Sequence, residues 1–260
     1  MQNKDLGNII IQINTVDSTN TYAQQLLQQE SGIVHGTVIN ANNQEGGRGQ
    51  RGRTWESEKG KNLTFSIIVL PDFLKGEDQF LISKIVALGI LDYLKITIGN
   101  NSSKLNPSVA IKWPNDVYIN ERKICGILIE NSITGRTITQ SIIGVGINVN
   151  QTSFKDNLVN PTSIALETGL QYDLDKMLKE VLISIDARYK MVASHQLSTI
   201  DEDYLKEIYQ LGEWCPYHIN GESAQAKIVG VSPLGKLVLE NQAGKTLVCD
   251  NNEIGYQLGG

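Results

Sequence analysis

Residues 42–61 form a polar stretch rich in glycine and arginine between two runs, 36–41 and 62–70, that read as strands. A connection this long inside a compact domain is functional or disordered, not a mere link, so the fold must be organised around it. Within it, Gly47-Arg48-Gly49-Gln50-Arg51-Gly52 fits G-x-G-x-x-G. A dinucleotide fingerprint, however, needs a helix next, and Arg53-Thr54-Trp55-Glu56 leads toward a second strand instead. The arrangement predicted is strand–loop–strand. The same loop followed by Arg53-Thr54 mimics a phosphate-binding loop, and residues 230–236 mimic it again but end in Leu237. Neither runs from strand into helix, where amides and the helix dipole hold phosphate. Val109-Ala110-Ile111-Lys112 spells a kinase lysine strand, but no histidine is followed by Arg-Asp, and Asp72-Phe73 runs into Leu74. A kinase is excluded.

What remains is a loop with Arg48, Arg51 and Arg53 close together. Three guanidiniums repel one another, so such a loop is unstable as a packed element, and an anion such as phosphate orders it through charge-assisted hydrogen bonds. The alternative is a solvated basic loop.

The other elements follow from periodicity. Residues 9–13 alternate as a strand, and Asp17-Ser18-Thr19-Asn20 offers N-cap oxygens before Tyr22, Leu26 and Leu27 at helical spacing. A buried helix is expected over 78–94, a meander of strands over 109–113, 117–119, 124–129 and 138–149, and helices over 174–192 and 199–211. From Gly212 short strands (226–231, 236–240, 246–249) are broken by Asn-Gly, Pro-Leu-Gly and Ala-Gly turns. The fold class is therefore α+β: a domain over 1–211 with a mixed sheet and flanking helices, then a small all-β domain over 212–260.

Composition narrows the function. Lys and Arg number 23 against 28 Asp and Glu, a net charge of −5, and the sequence pI of 5.3 argues against a nucleic-acid binder. Cys125, Cys215 and Cys249 are odd in number and scattered, which excludes a disulfide framework and a thiolate zinc site and fits a reducing cytosol. No metal-ligand cluster is expected. The start carries no secretory pattern, and the most apolar runs, 66–70 and 85–91, are too short to span a bilayer. A soluble cytoplasmic protein with no membrane partner is the expectation.

Three strands carry chemistry. Pro114 biases Trp113 to an extended conformation, so Lys112 lies near a strand end; Val109, Ile111 and Trp113 share one face and Ala110 and Lys112 the other. Gly126 interrupts another strand, and Gly144, Gly146 and Asn148 share a face of a third. Glycine inside a strand marks either a bulge or bend, or a bare floor on which a flat bicyclic ligand lies.

Taken in order, these pieces resemble the biotin protein ligases. The matching motifs are Asp17-Ser18-Thr19-Asn20; Gln44 with Gly47-Arg48-Gly49-Gln50-Arg51-Gly52-Arg53-x-Trp55; Lys112-Trp113-Pro114-Asn115-Asp116; Lys123-x-x-Gly126-Ile127-Leu128-x-Glu130; and Gly144-Val145-Gly146-Ile147-Asn148-Val149-Asn150. They span roughly residues 9–150, and the β-rich tail resembles the family's small SH3-like C-terminal domain. The resemblance implies that biotin and Mg-ATP (hence biotin, ATP and Mg2+ as the small molecules involved) give biotinyl-5′-AMP. The biotinyl group then passes to one lysine of a biotin carboxyl carrier domain. It implies Ser18, Thr19, Asn20 and Gln44 as biotin contacts, Arg48, Gly49 and Gln50 within the ligand loop, and Lys112 as the essential lysine. Candidate catalytic residues are thus Lys112, Arg48 and Arg51. Gly47, Arg53, Trp55, Asn115, Gly126, Gly144, Gly146 and Asn148 complete the candidate binding set.

Two departures bear on this. Relatives commonly read Gly-Arg-Gly-Arg where this chain has Gln50, so Arg51 or Arg53 is expected to take over. The first strand also begins near Ile9, which leads to the expectation of a ligase without a DNA-binding repressor domain. Rival readings are a lipoate or octanoate ligase on the same fold, a non-catalytic biotin-binding regulator, and a nucleic-acid module built on the arginine loop. Oligomeric state, a homodimer included, stays open.

Overall fold

The computed structural model describes residues 5–29, 32–101, 107–156 and 158–257. In chain order its elements are β1 (Ile10–Ile13), α1 (Thr19–Gln29), β2 (Thr37–Ala41), β3 (Leu63–Val69), α2 (Phe80–Asn101), β4 (Val109–Lys112), β5 (Asp116–Ile119), β6 (Arg122–Thr134), β7 (Thr137–Ile147), α3 (Ile164–Thr168), α4 (Leu174–Ala193), α5 (Leu197–Lys206) and β8 (Trp214–Ile219). Four more strands follow: β9 (Glu222–Val231), β10 (Leu237–Asn241), β11 (Thr246–Cys249) and β12 (Ile254–Tyr256). The first seven strands make one sheet in the order β1-β2-β3-β7-β6-β5-β4. Only β1 and β2 pair in parallel; the rest is antiparallel. A separate antiparallel sheet, β11-β10-β9-β8-β12, closes the chain.

Alternation along each strand decides which face of the large sheet is buried. Leu63, Phe65, Ile67 and Val69 of β3, Ile143, Val145 and Ile147 of β7, Cys125 and Ile127 of β6, and Val109 and Ile111 of β4 all point to the helical layer of α2, α4 and α5. Their neighbours in sequence necessarily point the other way. There α1 covers only one end, packing Ala23 on Ile39, Ile68 and Ile142. The rest of that face, over β3, β7, β6 and β4, is left for something other than a helix.

Several boundaries differ from expectation. The helix foreseen over 78–94 continues to Asn101, because Ile98, 0% exposed, prolongs its buried stripe past the polar Lys95. The helix foreseen over 199–211 ends at Lys206, since the backbone leaves it to pair with β4: Ile111 N–H donates to Glu207 O and Tyr209 N–H to Ile111 O. Strands β8 and β12 carried too little signal, one interrupted by Pro216 and the other three residues long. All three cysteines are buried and free. Among the described residues no helix is long and apolar enough to cross a membrane.

Candidate functional site

The uncovered face of the sheet, the 42–61 loop and the edge of the small sheet together enclose a cavity of about 730 Å³. The position of each wall follows from the strand periods above.

One end is neutral and polar. Thr19 and Asn20 open α1, Ser18 immediately precedes it, and all three are 2–3% exposed. Gln44 Oε1 accepts from the Thr19 backbone N–H at 2.8 Å and from its hydroxyl at 3.1 Å. Ser66, on the inward-turned face of β3, donates to Asn20 Oδ1 at 2.6 Å and lies 2.7 Å from the Thr19 hydroxyl. Asn20 Nδ2 donates to Glu130 at 2.8 Å and to Leu128 O at 3.3 Å. The amide of Asn20 is therefore locked by three hydrogen bonds from two strands, β3 and β6, and a side chain fixed this way makes a preorganised wall.

Glu130 ties that end to the loop, because Arg48 Nη2 donates to its other oxygen at 2.7 Å. This corrects the expectation of three arginines in mutual repulsion: Arg48 carries its own counter-ion on β6, leaving Arg51 and Arg53. The loop also folds on itself, with Gly49 N–H donating to Arg53 O at 2.7 Å, Trp55 N–H to Gly47 O at 2.8 Å, and an Arg48–Thr54 bridge. Arg51 at the tip sits in the left-handed region (φ 57°, ψ 40°), a costly conformation for a side chain with a Cβ.

The glycine floor is real but is not bare. The indole of Trp55 lies on it: a Cβ at Gly146 would stand 2.2 Å from Trp55 Cε2, and one at Gly126 3.0 Å from Cζ3. At Gly144 a Cβ would meet Asn20 Oδ1 at 2.3 Å. The floor expected to be bare is thus covered by this chain's own bicycle over Gly126 and Gly146, and by the Asn20 amide over Gly144. The bulge reading fails for Gly144 and Gly146, which keep regular register with β3 and β6. At Gly126 a register shift does lie close by, between Val117 and Tyr118. Trp55 Nε1 and Asn148 Oδ1 are buried with no partner among the described residues. Such groups are costly unless something binds them.

The far end is cationic. Lys112 ends β4, its ammonium donating to the Tyr118 hydroxyl at 3.0 Å and standing 4.8 Å from the centroid of the Tyr256 ring. Burial lowers its pKa from 10.5 to about 8; Asp116 opposes the shift, while Lys123 and Arg53 add to it. Asp116 is meanwhile ion-paired to Lys123 at 2.7 Å. Trp113 anchors the strand in the core at 4% exposure, as its alternation predicts, and donates Nε1–H to Gly235 O at 2.9 Å. The peptide bond from Trp113 to Pro114 is cis. Asn115 faces the cavity, but its amide donates to Ile127 O at 2.7 Å.

Ser18, Thr19, Asn20, Gln44, Arg48, Gly49, Gln50, Arg51, Arg53, Trp55, Lys112, Asn115, Gly126, Gly144, Gly146 and Asn148 all line this cavity. Gly47 alone of the expected set does not. It sits where the loop's two arms cross, and a Cβ there would meet Trp55 O at 2.3 Å. Sequence reasoning missed Tyr118, Asn251 and Tyr256 as lining residues. Tyr118 was findable, since it shares a face with Asp116 on β5; the other two belong to the small sheet and carry no local signal. Among the described residues no three His, Cys, Asp or Glu side chains cluster as metal donors. The arrangement offers a neutral hydrogen-bonding pocket, an aromatic platform with unmet polar atoms, and a desolvated ammonium, all in one chamber.

Comparison with known proteins agrees with that chemistry. A family profile described as the Biotin/lipoate A/B protein ligase family matches residues 13–148. The Bacillus spizizenii bifunctional ligase/repressor BirA is 30% identical over 246 residues, covering 92% of this chain and 71% of that protein. The Paracoccus denitrificans biotin–[acetyl-CoA-carboxylase] ligase is 28% identical, covering 89% and 94% respectively. Among solved structures, a biotin protein ligase from Aquifex aeolicus in complex with biotin and ATP superposes with a TM-score of 0.78 at 26% identity, covering 97% of this chain and all of that one. On the match over more than half its length and the relatives that span nearly all of it, this chain belongs to the biotin/lipoate A/B protein ligase family.

Proposed function

We propose that this ligase activates biotin as biotinyl-5′-AMP and transfers the biotinyl group to a lysine of a biotin carboxyl carrier domain. The observation that carries the reading is the meeting, in one cavity, of the uncharged donors and acceptors around Thr19 and Gln44 with the Lys112 ammonium. A ureido ring is uncharged and bonds through short donors and acceptors. A carboxylate and a phosphate are both anions and must be neutralised to meet.

In the first step a carboxylate oxygen of biotin attacks the α-phosphorus of ATP; the new P–O bond forms as the bond to pyrophosphate breaks. The ammonium of Lys112 holds both negative partners, a stabilisation whose removal typically costs about 10²–10³ in rate. In the second step the neutral ε-amine of the acceptor lysine attacks the acyl carbon, AMP leaves, and the amide forms. Trp55, which lines the cavity, suits an adenine ring by stacking. Asn148 Oδ1 suits an exocyclic amine. Magnesium arrives on the phosphates of ATP as part of that substrate, with Glu56 and Asp116 as the carboxylates of the cavity wall and, among the described residues, no group of three metal-donor side chains. Arg53, close enough to influence Lys112, suits the phosphates better than Arg51 at the loop tip.

The finer reading is a ligase without repressor activity, supported by the Paracoccus relative, which the match spans almost end to end. The test is mass spectrometry of a purified carrier domain incubated with the full chain, Mg-ATP and biotin or lipoate. The expected result is one biotinyl addition with biotin alone, lost or slowed at least a hundredfold in Lys112→Ala. Equal transfer of lipoate, or no addition, overturns the reading.

A further inference from the structure

Among the described residues Lys112 has no ion-pair partner of its own. Asp116 on β5, the carboxylate nearest it, is held at 2.7 Å by Lys123 of β6, and both Lys123 and Arg53 of the loop repel the ammonium. Around it stand two tyrosines, Tyr118 of β5 and Tyr256 of β12, with Tyr209 behind them, 5.8 Å from Tyr118 and 6.5 Å from Tyr256 between ring centroids. The ammonium lies near both of the nearer rings, 4.7 Å from the Tyr118 centroid and 4.8 Å from that of Tyr256, but only Tyr118 also bonds through its hydroxyl. Tyr118 accepts through its hydroxyl at 3.0 Å. Tyr256 presents its ring, the ammonium lying 4.8 Å over the centroid, while its hydroxyl is buried with no partner among the described residues. The face of Tyr256, not its hydroxyl, is therefore what the lysine meets, within the reach at which a ring quadrupole attracts a cation.

A ring is the counterpart such a lysine needs. A carboxylate beside Lys112 would neutralise it and repel an incoming carboxylate and phosphate. An aromatic face favours the charged form and leaves the full positive charge for the substrates. The ring is rigidly delivered: Tyr256 pairs with Tyr217 across β12 and β8, and the two rings meet edge to face at 5.4 Å.

We infer that Tyr256 is a positioning residue for Lys112, its ring, supplied by the C-terminal sheet, holding the ammonium in place and charged in the cavity that receives the two anions. The inference rests on the function proposed above for its rate readout, and has a second readout that does not.

The experiment compares the full chain with Tyr256→Phe, which keeps the ring, and Tyr256→Leu, which keeps bulk but loses it. Biotin-dependent exchange of pyrophosphate into ATP is followed against pH, with melting temperature as a control on folding. In the wild type the alkaline limb falls near pH 8. Tyr256→Phe is expected within twofold of wild type throughout. Tyr256→Leu is expected to lose about tenfold in kcat, with its limb moved half a unit or more toward lower pH, because a cation without its ring gives up its proton sooner. In parallel, 13C titration of the Lys112 ε-methylene in the same proteins should show the lower midpoint in Tyr256→Leu alone, whether or not exchange is observed. A leucine variant that behaves as wild type overturns the inference. So does a phenylalanine variant that loses as much, or a rate loss with both limb and midpoint unmoved. A wild type that exchanges no pyrophosphate yet shows the midpoint shift overturns only the reaction assigned above.

Discussion

Lys112 is required to be charged where the fold least favours charge, and this has a consequence for stability. Its pKa is lowered by burial to about 8 against an ordinary 10.5, so between those values the unfolded chain binds the proton more readily than the folded one. Stability must then rise with pH through this window, and below pH 8 the folded state carries the cost of a desolvated cation. Lys112→Met removes both the charge and that cost. The variant is expected to lose activity by at least 10² yet melt a few degrees higher at pH 7. Its advantage over wild type should shrink as pH approaches 10, which differential scanning calorimetry at both pH values will check. A variant that melts lower at pH 7 would contradict the desolvation argument. The lysine itself was legible in the sequence, because Pro114 and a period of two fix both its strand end and its face. Its surroundings were not. Tyr256 lies at the other end of the chain, and nothing about an isolated tyrosine says that it faces a cation.

The strands and helices divide along the same line. The meander β4 to β7 and the long helix α4 could be read because their periods of two and 3.6 persist over many residues, and persistence comes from burial against a continuous layer. β12 could not, being three residues long and stabilised by its pairing with β8. The glycine strands were legible as bare, but not as covered by Trp55, since the loop path that brings the indole back is a tertiary fact. Helix α2 offers an element-level test with an internal control. At Gly89 a Cβ would meet the Ile185 backbone of α4 at 2.6 Å, whereas nothing lies within 4 Å of one at Gly99. Alanine gains about 1 kcal/mol over glycine in a helix interior, but forcing α2 from α4 costs about 1–3 kcal/mol. Chemical denaturation should therefore find Gly89→Ala less stable than wild type and Gly99→Ala more stable by up to about 1 kcal/mol. A Gly89→Ala variant as stabilised as Gly99→Ala would show that α2 and α4 do not touch as closely as described.

The two sheets share one hydrophobic core, and this sets how the molecule should come apart. Tyr217, Ala226, Ile228, Leu237 and Leu239 of the small sheet belong to the same buried cluster as Ile111, Trp113 and the face of α2. Four further contacts stitch the junction: Trp113 Nε1–H to Gly235 O, the Ile111–Ile208 and Leu211–Ile228 bridges, and Asn251 Nδ2–H donating to Gln50 Oε1 at 2.9 Å. The last of these uses the glutamine that departs from the commoner arginine, so at that position the chain exchanges a loop charge for a tie to the small sheet. A small sheet standing alone would melt early and separately, and the site would lose its wall before its floor. With a shared core, neither part can be exposed without exposing apolar surface of the other, and unfolding should be a single event. Leu239→Ala tests this, because Leu239 is 0% exposed and lies in the small sheet. Its cost, about 2–5 kcal/mol, should lower the melting temperature of the whole molecule by roughly 5–15 °C. Calorimetry should show one transition in both proteins, with loss of helical circular dichroism from α2 and α4 coincident with it. A separate low-temperature transition in the variant, with the helical signal intact through it, would mean that the small sheet unfolds alone and that its hold on the lysine is looser than the packing implies.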